Sequence, residues 1–383
     1  MKILYLSDSF HQHQKPLADS LFSINGSDYW FVEMEERLSE FRRTLGFKEY
    51  NESYLIKYNG NEDKVDKLIM EADAVICGEA PAKLVKNRIK AGKLTFRDDE
   101  RRYKSIIKYL KYPIYTWHSI TYNKGYLLSA SAYGSRDYVL SGMDPEKCFK
   151  WGYFTEVKTI DDIDFFIDEK FSTTFSSTKE VSILWVGRLI KLKHPEMAIE
   201  TAKKLKMDGF KFHLNMIGPG ELKEKMYKLI RKYDLLDSVT LLGQMNQDDV
   251  RRYMEKSEIF LFTSDEGEGW GAVLGESMAS ACAPVASHAA GASTYLIKDG
   301  KNGFIFKSED IDSMYSKVKN LIKDDKLRRR ICKEAYMTMS KTWNAKTASN
   351  NLMTLIDALS EGKRTPIAEG PCSQAEIMNH TWM

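Results

Sequence analysis

The run Thr263-Ser264-Asp265-Glu266-Gly267-Glu268-Gly269-Trp270-Gly271-Ala272-Val273-Leu274-Gly275-Glu276 leaves an apolar segment, crosses three glycines and enters a helical pattern. Glycines let a backbone approach a ligand closely, and a helix start offers unpaired N–H groups with a partial positive charge. A phosphate there gains about 0.3–1 kcal/mol from the helix dipole, before any hydrogen bond. Glu268 on the loop and Glu276 within the helix add two carboxylates able to accept from hydroxyls. An anion cradle beside paired carboxylates suits a ligand carrying hydroxyls next to phosphate, and a sugar nucleotide fits that description. Glycines alone would be read as an ordinary turn; the two glutamates favour a binding site.

Short β-rich runs alternate with helical patterns on both sides of this loop. In the later half the spacing predicts strands over 181–186, 211–217, 239–242, 259–263 and 284–287, with helices over 195–207, 221–233, 247–256 and 271–280. Such alternation implies βαβ units and a parallel sheet. Helices are expected to follow over 310–323, 326–340 and 345–359. The earlier half is expected to carry strands over 2–7, 54–57, 74–77, 113–117 and 149–154, a helix near 16–24, and a long basic helical segment before residue 113. The stretch 161–180 is rich in Asp, Ser and Thr and reads as a polar linker. The expected domains are 1–160 and 181–342, each doubly wound and Rossmann-like, with a C-terminal helix and tail (343–383) returning towards the first. Ligands of such sheets bind beyond the carboxyl ends of the strands.

A length of 383 residues implies two or three domains at about 150 residues each. Lys plus Arg is 57 against 54 for Asp plus Glu, a net charge of +3 that does not suggest a nucleic-acid binder. No apolar run approaches the roughly 18 residues of a membrane span. The five cysteines are scattered and form no CxxC pair, so a reduced, cytoplasmic chain is expected. Upstream of the glycine run, Val186-Gly187-Arg188-Leu189-Ile190-Lys191-Leu192-Lys193-His194-Pro195 also follows a strand and precedes a helix. Arg188 and Lys193 would emerge at the same carboxyl edge, where two cations can hold a diphosphate and neutralise a leaving group.

These two motifs together resemble the nucleotide-sugar half of a GT-B glycosyltransferase, most nearly family 4, whose members retain anomeric configuration in polysaccharide and glycolipid assembly. A third resemblance is Ile297-Lys298-Asp299-Gly300-Lys301-Asn302-Gly303-Phe304. The resemblance implies a GT-B fold, two Rossmann-like domains facing a central cleft. It implies that Arg188 and Lys193 bind the donor diphosphate, that Glu276 holds the ribose and that Glu268 holds the transferred sugar. Gly187, Gly218, Gly269, Trp270, Gly271, Ala272 and Val273 would complete the donor site. His118, after the 113–117 strand, would sit beside the donor sugar as a catalytic group with Glu268, Arg188 and Lys193. Ser9, His11 and His13 would lie on the acceptor side. The family often has Gly-Gly-x-x-Glu after the next strand, whereas this chain has Ala290-Gly291-Ala292-Ser293-Thr294. The segments 91–96, 151–154 and 370–373 resemble a branch that serves surface-polysaccharide (capsule) synthesis.

The implied activity moves a sugar from a nucleotide-diphosphate donor to a glycan or lipid-linked acceptor, with no metal and no further cofactor. Between residues 83 and 111 eleven basic residues face three acidic ones, with aromatics interleaved. Such a face could sit on an anionic membrane at its inner surface; a solvated helix face is the plainer reading and the one preferred. Other readings are a sugar-nucleotide epimerase on the same fold, a non-catalytic sugar-nucleotide sensor, and a metal hydrolase using His11 and His13, whose spacing can bind zinc. A nicotinamide dehydrogenase would need a G-x-G-x-x-G after an early strand, and the first strand has none.

Overall fold

In a computed structural model, residues 1–34, 49–100, 125–172, 180–379 and 382 are described. They form two compact units, Met1–Glu156 with Thr342–Asn379, and Val157–Lys341 with His380–Met383. The first unit holds a seven-stranded sheet: β1 (Ile3–Ser7), β2 (Tyr29–Glu33), β3 (Leu55–Lys57), β4 (Ala74–Cys77), β5 (Thr95–Asp99), β6 (Gly125–Ser129) and β7 (Cys148–Lys150). Their order is β3-β2-β1-β4-β5-β6-β7, and each pair is parallel. Helices α1 (Lys15–Asn25), α2 (Glu62–Glu71), α3 (Lys86–Lys90) and α4 (Gly134–Leu140) belong to this unit.

The second unit begins with α5 (Ile163–Ser172). Its sheet holds β8 (Val181–Val186), β9 (Phe212–Ile217), β10 (Val239–Gly243), β11 (Ile259–Phe262), β12 (Ala283–Ser287) and β13 (Phe304–Phe306). The order is β10-β9-β8-β11-β12-β13, again parallel throughout. Helices α6 (Pro195–Met207), α7 (Lys223–Lys232), α8 (Gln247–Lys256), α9 (Ala272–Ala279), α10 (Ser293–Leu296), α11 (Ile311–Lys323) and α12 (Asp325–Lys341) complete it. Ile183, Trp185, Leu214, Leu261 and Val285 from the strands share one buried core with Met197, Ile199, Met226, Val318 and Ile331 from the helices. Strands buried on both faces explain why β8 and β11 read as continuous apolar runs.

The chain then returns to the first unit. Helix α13 (Ala345–Ser360) packs on α1. Residues 372–375 cover the edge of β7: Cys372 N donates to Lys150 O (2.7 Å), Lys150 N to Ser373 O (2.8 Å) and Ala375 N to Cys148 O (2.9 Å). An open edge strand is a site for unwanted pairing, and this one is closed by the chain's own tail.

Several expectations are corrected. Strands β2, β5, β6 and β13 do not appear in the sequence reading, and the strand expected over 149–154 is Cys148–Lys150. Residues 163–172 are a helix whose Ile167 enters the second unit's core, where the composition suggests a polar linker. The described part of the basic run is no continuous helical face either. It contains a short turn, the five-residue α3 and strand β5. Arg88 within it is fully buried. Its guanidinium donates to the carbonyls of Ile69 (2.6 Å), Ala72 (2.8 Å), Asp73 (2.9 Å) and Leu94 (2.8 Å). It thereby satisfies groups around the carboxyl end of α2, and burial lowers its pKa to about 10. The remainder of the run, the expected 113–117 strand and His118 fall outside the described residues. Among the described residues, no helix is long and apolar enough to cross a membrane.

Arg88→Met leaves several buried carbonyls without donors, so it should lower unfolding stability by about 3 kcal/mol or more, read from urea titration. Asp98, at the end of β5, accepts a hydrogen bond from the buried Tyr5 hydroxyl. Burial pushes its carboxyl up to about 7, against the lowering effect of the Tyr5 bond, with Asp99 adding to the rise. A folded value above the unfolded one, about 4, gives stability that is complete below pH ~4 and lost as pH rises through about 7. Asp98→Asn should flatten that fall in urea midpoints measured between those limits.

Candidate donor site at the switch point of the second sheet

The order of the second sheet reverses direction between β8 and β11. Neighbouring loops leave opposite ways at such a point, which opens a crevice at the carboxyl edge. The two sequence motifs are the loops that leave these two adjacent strands, 187–194 after β8 and 263–271 after β11.

Side chains and backbone join the loops. Thr263 Oγ1 donates to Lys193 O (2.5 Å) and accepts from the buried Trp185 indole (2.9 Å). Asp265 N donates to Leu192 O (3.1 Å). His194 turns the chain into α6 with a left-handed φ of 44°, and its Nε2 lies 3.0 Å from Asp265 Oδ2. Asp265 also closes its own turn, accepting from Gly267 N at Oδ1 (2.7 Å) and from Glu268 N at its carbonyl (3.1 Å). Lys193 and Glu268 form an ion pair across the loops, with side chains 15% and 13% exposed. Two groups assigned separately to diphosphate and sugar are therefore each other's partners. Arg188 is exposed at the same edge.

Glycine is required at two places here. Gly218 has φ +135°, and a Cβ on it would lie 1.9 Å from Gly187 O. Its use is to let the loop after β9 run against the loop after β8, where Leu189 N donates to Pro219 O (2.7 Å). Gly271 has φ +88° and is the residue before α9; a Cβ there would lie 2.4 Å from Phe262 Cζ. The first amides of a helix have no intrahelical acceptor, and Gly271 supplies no side-chain cap. The amides of Ala272 and Val273 thus start α9 at the carboxyl edge. Gly269 lies part-exposed on the loop, and Glu276 part-exposed in the second turn of α9. Trp270 is 1% exposed, with its ring centroid 6.2 Å from that of Tyr295. Its carbonyl accepts from Ala292 N (3.1 Å), so the residue packs beneath the loop and ties it to the 290–294 segment.

The first sheet has its own reversal, between β1 and β4. Ser9, His11 and His13 lie on the loop leaving β1. Side chains shape it in place of glycines. Phe10 N donates to the buried Glu33 carboxylate (2.9 Å), Gln14 Nε2 to Ser7 Oγ (3.0 Å), and Ser9 Oγ to Asp8 Oδ1 (3.2 Å). His13 N donates to His11 Nδ1 (3.3 Å), and the His13 ring lies near-parallel to Tyr153 at 6.3 Å. Among the described residues, no three His, Cys, Asp or Glu side chains come together as a metal site.

Residues 166–338 match the family model described as glycosyl transferases group 1. The match falls within the second unit and takes in both loops of the site. The chain is 35% identical over 164 residues to a Campylobacter jejuni N-acetylgalactosamine-N,N'-diacetylbacillosaminyl-diphospho-undecaprenol 4-alpha-N-acetylgalactosaminyltransferase, covering 43% of this chain and 42% of that one. It is 33% identical over 137 residues to an amylovoran biosynthesis glycosyltransferase of Erwinia amylovora, covering 34% and 33%. The chain thus spans less than half the length of these curated relatives. A crystal structure of Anabaena HepE in complex with UDP superposes with a TM-score of 0.69 at 14% identity, covering 94% of this chain and 100% of that one. The fold, two Rossmann-like units with parallel sheets, is that of GT-B glycosyltransferases, as the sequence resemblance implies.

Within this unit, sequence reasoning passed over His194, Thr263 and Asp265. All three lie inside the quoted motifs, and the available signal was polar residues at strand ends facing a second loop. Gly271→Ala should cost about 1–3 kcal/mol through its positive φ and the Phe262 contact, seen as a lowered urea midpoint. Gly209→Ala, also at positive φ but with open space around its Cβ position, is the control for backbone strain alone.

Proposed function

We propose that this protein transfers a sugar from a nucleotide-diphosphate donor to a glycan or lipid-linked acceptor in surface-polysaccharide synthesis, with retention of configuration. The observation that carries the reading is the meeting, at one switch point, of Arg188, the Lys193–Glu268 pair and the start of α9. Arg188 and the first α9 amides hold the diphosphate. Lys193 exchanges Glu268 for a phosphate oxygen, which frees the Glu268 carboxylate to accept from hydroxyls of the sugar. Glu276 accepts from the ribose. The names of relatives support the class of substrate: the Anabaena structure is a UDP complex, and the Campylobacter enzyme is a diphospho-undecaprenol glycosyltransferase.

Charge neutralisation of the departing diphosphate supplies most of the catalysis in this reading. As the bond from the anomeric carbon to phosphate oxygen breaks, that oxygen takes the proton of the acceptor hydroxyl. The acceptor oxygen then bonds the anomeric carbon from the same face, and the nucleoside diphosphate leaves. Ser9, His11 and His13 are the proposed acceptor-side residues.

A thermal-shift panel of UDP-, GDP- and ADP-sugars tests the reading, since a ligand of the native state raises apparent stability. One series should raise the midpoint, and no response to any of them would refute the proposal. Arg188→Ala should weaken nucleotide-diphosphate binding about tenfold or more by calorimetry, the worth of one lost charge-assisted contact. Glu268→Gln should reduce turnover by about a hundredfold with a smaller change in nucleotide affinity. Donor incubated without acceptor should not be isomerised; an isomerised sugar nucleotide would favour an epimerase.

A further inference from the structure

A buried cation lies at the opposite end of α9 from this site. Lys170, in α5, is 3% exposed. Its ammonium donates to the carbonyls of Met254 (3.3 Å), Ser257 (2.9 Å), Ser280 (2.8 Å) and Ala281 (2.7 Å). Met254 is in the last turn of α8, Ser257 leads into β11, and Ser280 and Ala281 follow the last turn of α9. Carbonyls at helix ends carry partial negative charge, so the cation sits where two such ends converge. An ammonium is tolerated in a dry interior only when its protons are bonded, and here backbone carbonyls provide those bonds.

The segment from β11 through the 263–271 loop to α9 stands on two feet, Ser257 and Ser280–Ala281, and both bond the same nitrogen. Its top carries Glu268, the α9 amides and Glu276. Helix α9 is eight residues long, about 12 Å. Its foot is therefore only about two turns from its first amides. The foot also connects to the turn bearing Glu276, because Ser280 donates to the Glu276 carbonyl through both N (3.1 Å) and Oγ (2.9 Å).

We propose that Lys170 is a positioning residue for the nucleotide diphosphate: by holding both feet of the β11–α9 segment on one ammonium, it sets the aim of the α9 amides. The proposal rests on the reading of that loop as the diphosphate site. A diphosphate at the start of α9 and an ammonium at its end would bracket the helix dipole, so each should favour the other.

Lys170→Gln and Lys170→Met are compared with the unaltered protein by calorimetry with UDP and with uridine, where near-UV circular dichroism shows native packing. Loss of the ammonium should weaken UDP about tenfold, a usual size for coupling between sites, and change uridine by less than about twofold. Lys170→Arg, which keeps charge and donors, should retain most of the UDP affinity. Unchanged UDP affinity in both neutral variants, or equal weakening of UDP and uridine, would overturn the positioning role. If neither neutral variant folds, hydrogen exchange on the unaltered protein answers instead. Saturating UDP should slow amides of 278–282 and 166–172 more than those of 223–232, and equal slowing in all three would overturn the proposal. If GDP or ADP is the diphosphate that the unaltered protein binds, it and its nucleoside take the place of UDP and uridine; failure to bind any of the three would overturn the functional reading, and this proposal with it.

Discussion

Lys193 and Glu268 join the two loops on which the site of the second unit is built. Each alone would be a half-buried charge with a desolvation cost; together they neutralise one another at the switch point. The pairing also holds the 187–194 and 263–271 loops at a fixed distance, reinforced by Thr263, Asp265 and His194. In the proposed reading, phosphate and hydroxyl groups of a donor would take the place of the two partners in this ion pair.

The backbone beneath that pair allows little variation. The loops after β8 and β9 touch through main-chain atoms at Gly187 and Gly218, and Gly271 places α9 directly against Phe262. These close approaches let the first turn of α9 reach the carboxyl edge. At the other end of the same segment, Lys170 gathers carbonyls from α8, β11 and α9. The site is thus held from above by paired side chains and from below by a cation on backbone oxygens. In the first unit Arg88 uses the same device, a buried cation distributed over carbonyls around a helix end.

Much of the second unit was legible because its strands are apolar and its helices start and stop at ordinary signals. Pro195 opens α6, and Asn246 caps α8 through its side chain. The first unit was harder to read. Strand β5 ends in Arg97-Asp98-Asp99, charges that look like surface residues but serve the sheet's carboxyl edge. Asp98 accepts from Tyr5, Asp99 from Tyr138, and Arg97 donates to Ala80 O. The basic composition around Arg88 pointed outward, yet its guanidinium turns inward to carbonyls at the end of α2 and before β5 that spacing alone does not bring together. Helix α5 was obscured by its flanking acids, and Lys170 has partners more than eighty residues away. The identity of the loop residues could be read from spacing. Their pairing with one another could not, since it depends on which strands are neighbours.

The first unit is discontinuous: its chain departs at Glu156 and resumes at Thr342, while the second unit is nearly continuous. During synthesis, the whole second unit therefore leaves the ribosome before the first receives its last helix and the tail that covers β7. Until residues 345–375 emerge, α1 lacks the helix that covers it and β7 presents an unpaired border. At about 5–20 residues per second, that interval lasts on the order of ten seconds or more. For that time a nascent chain of this protein holds its first unit without the last helix and without the cover on β7, an open border at which another strand could pair.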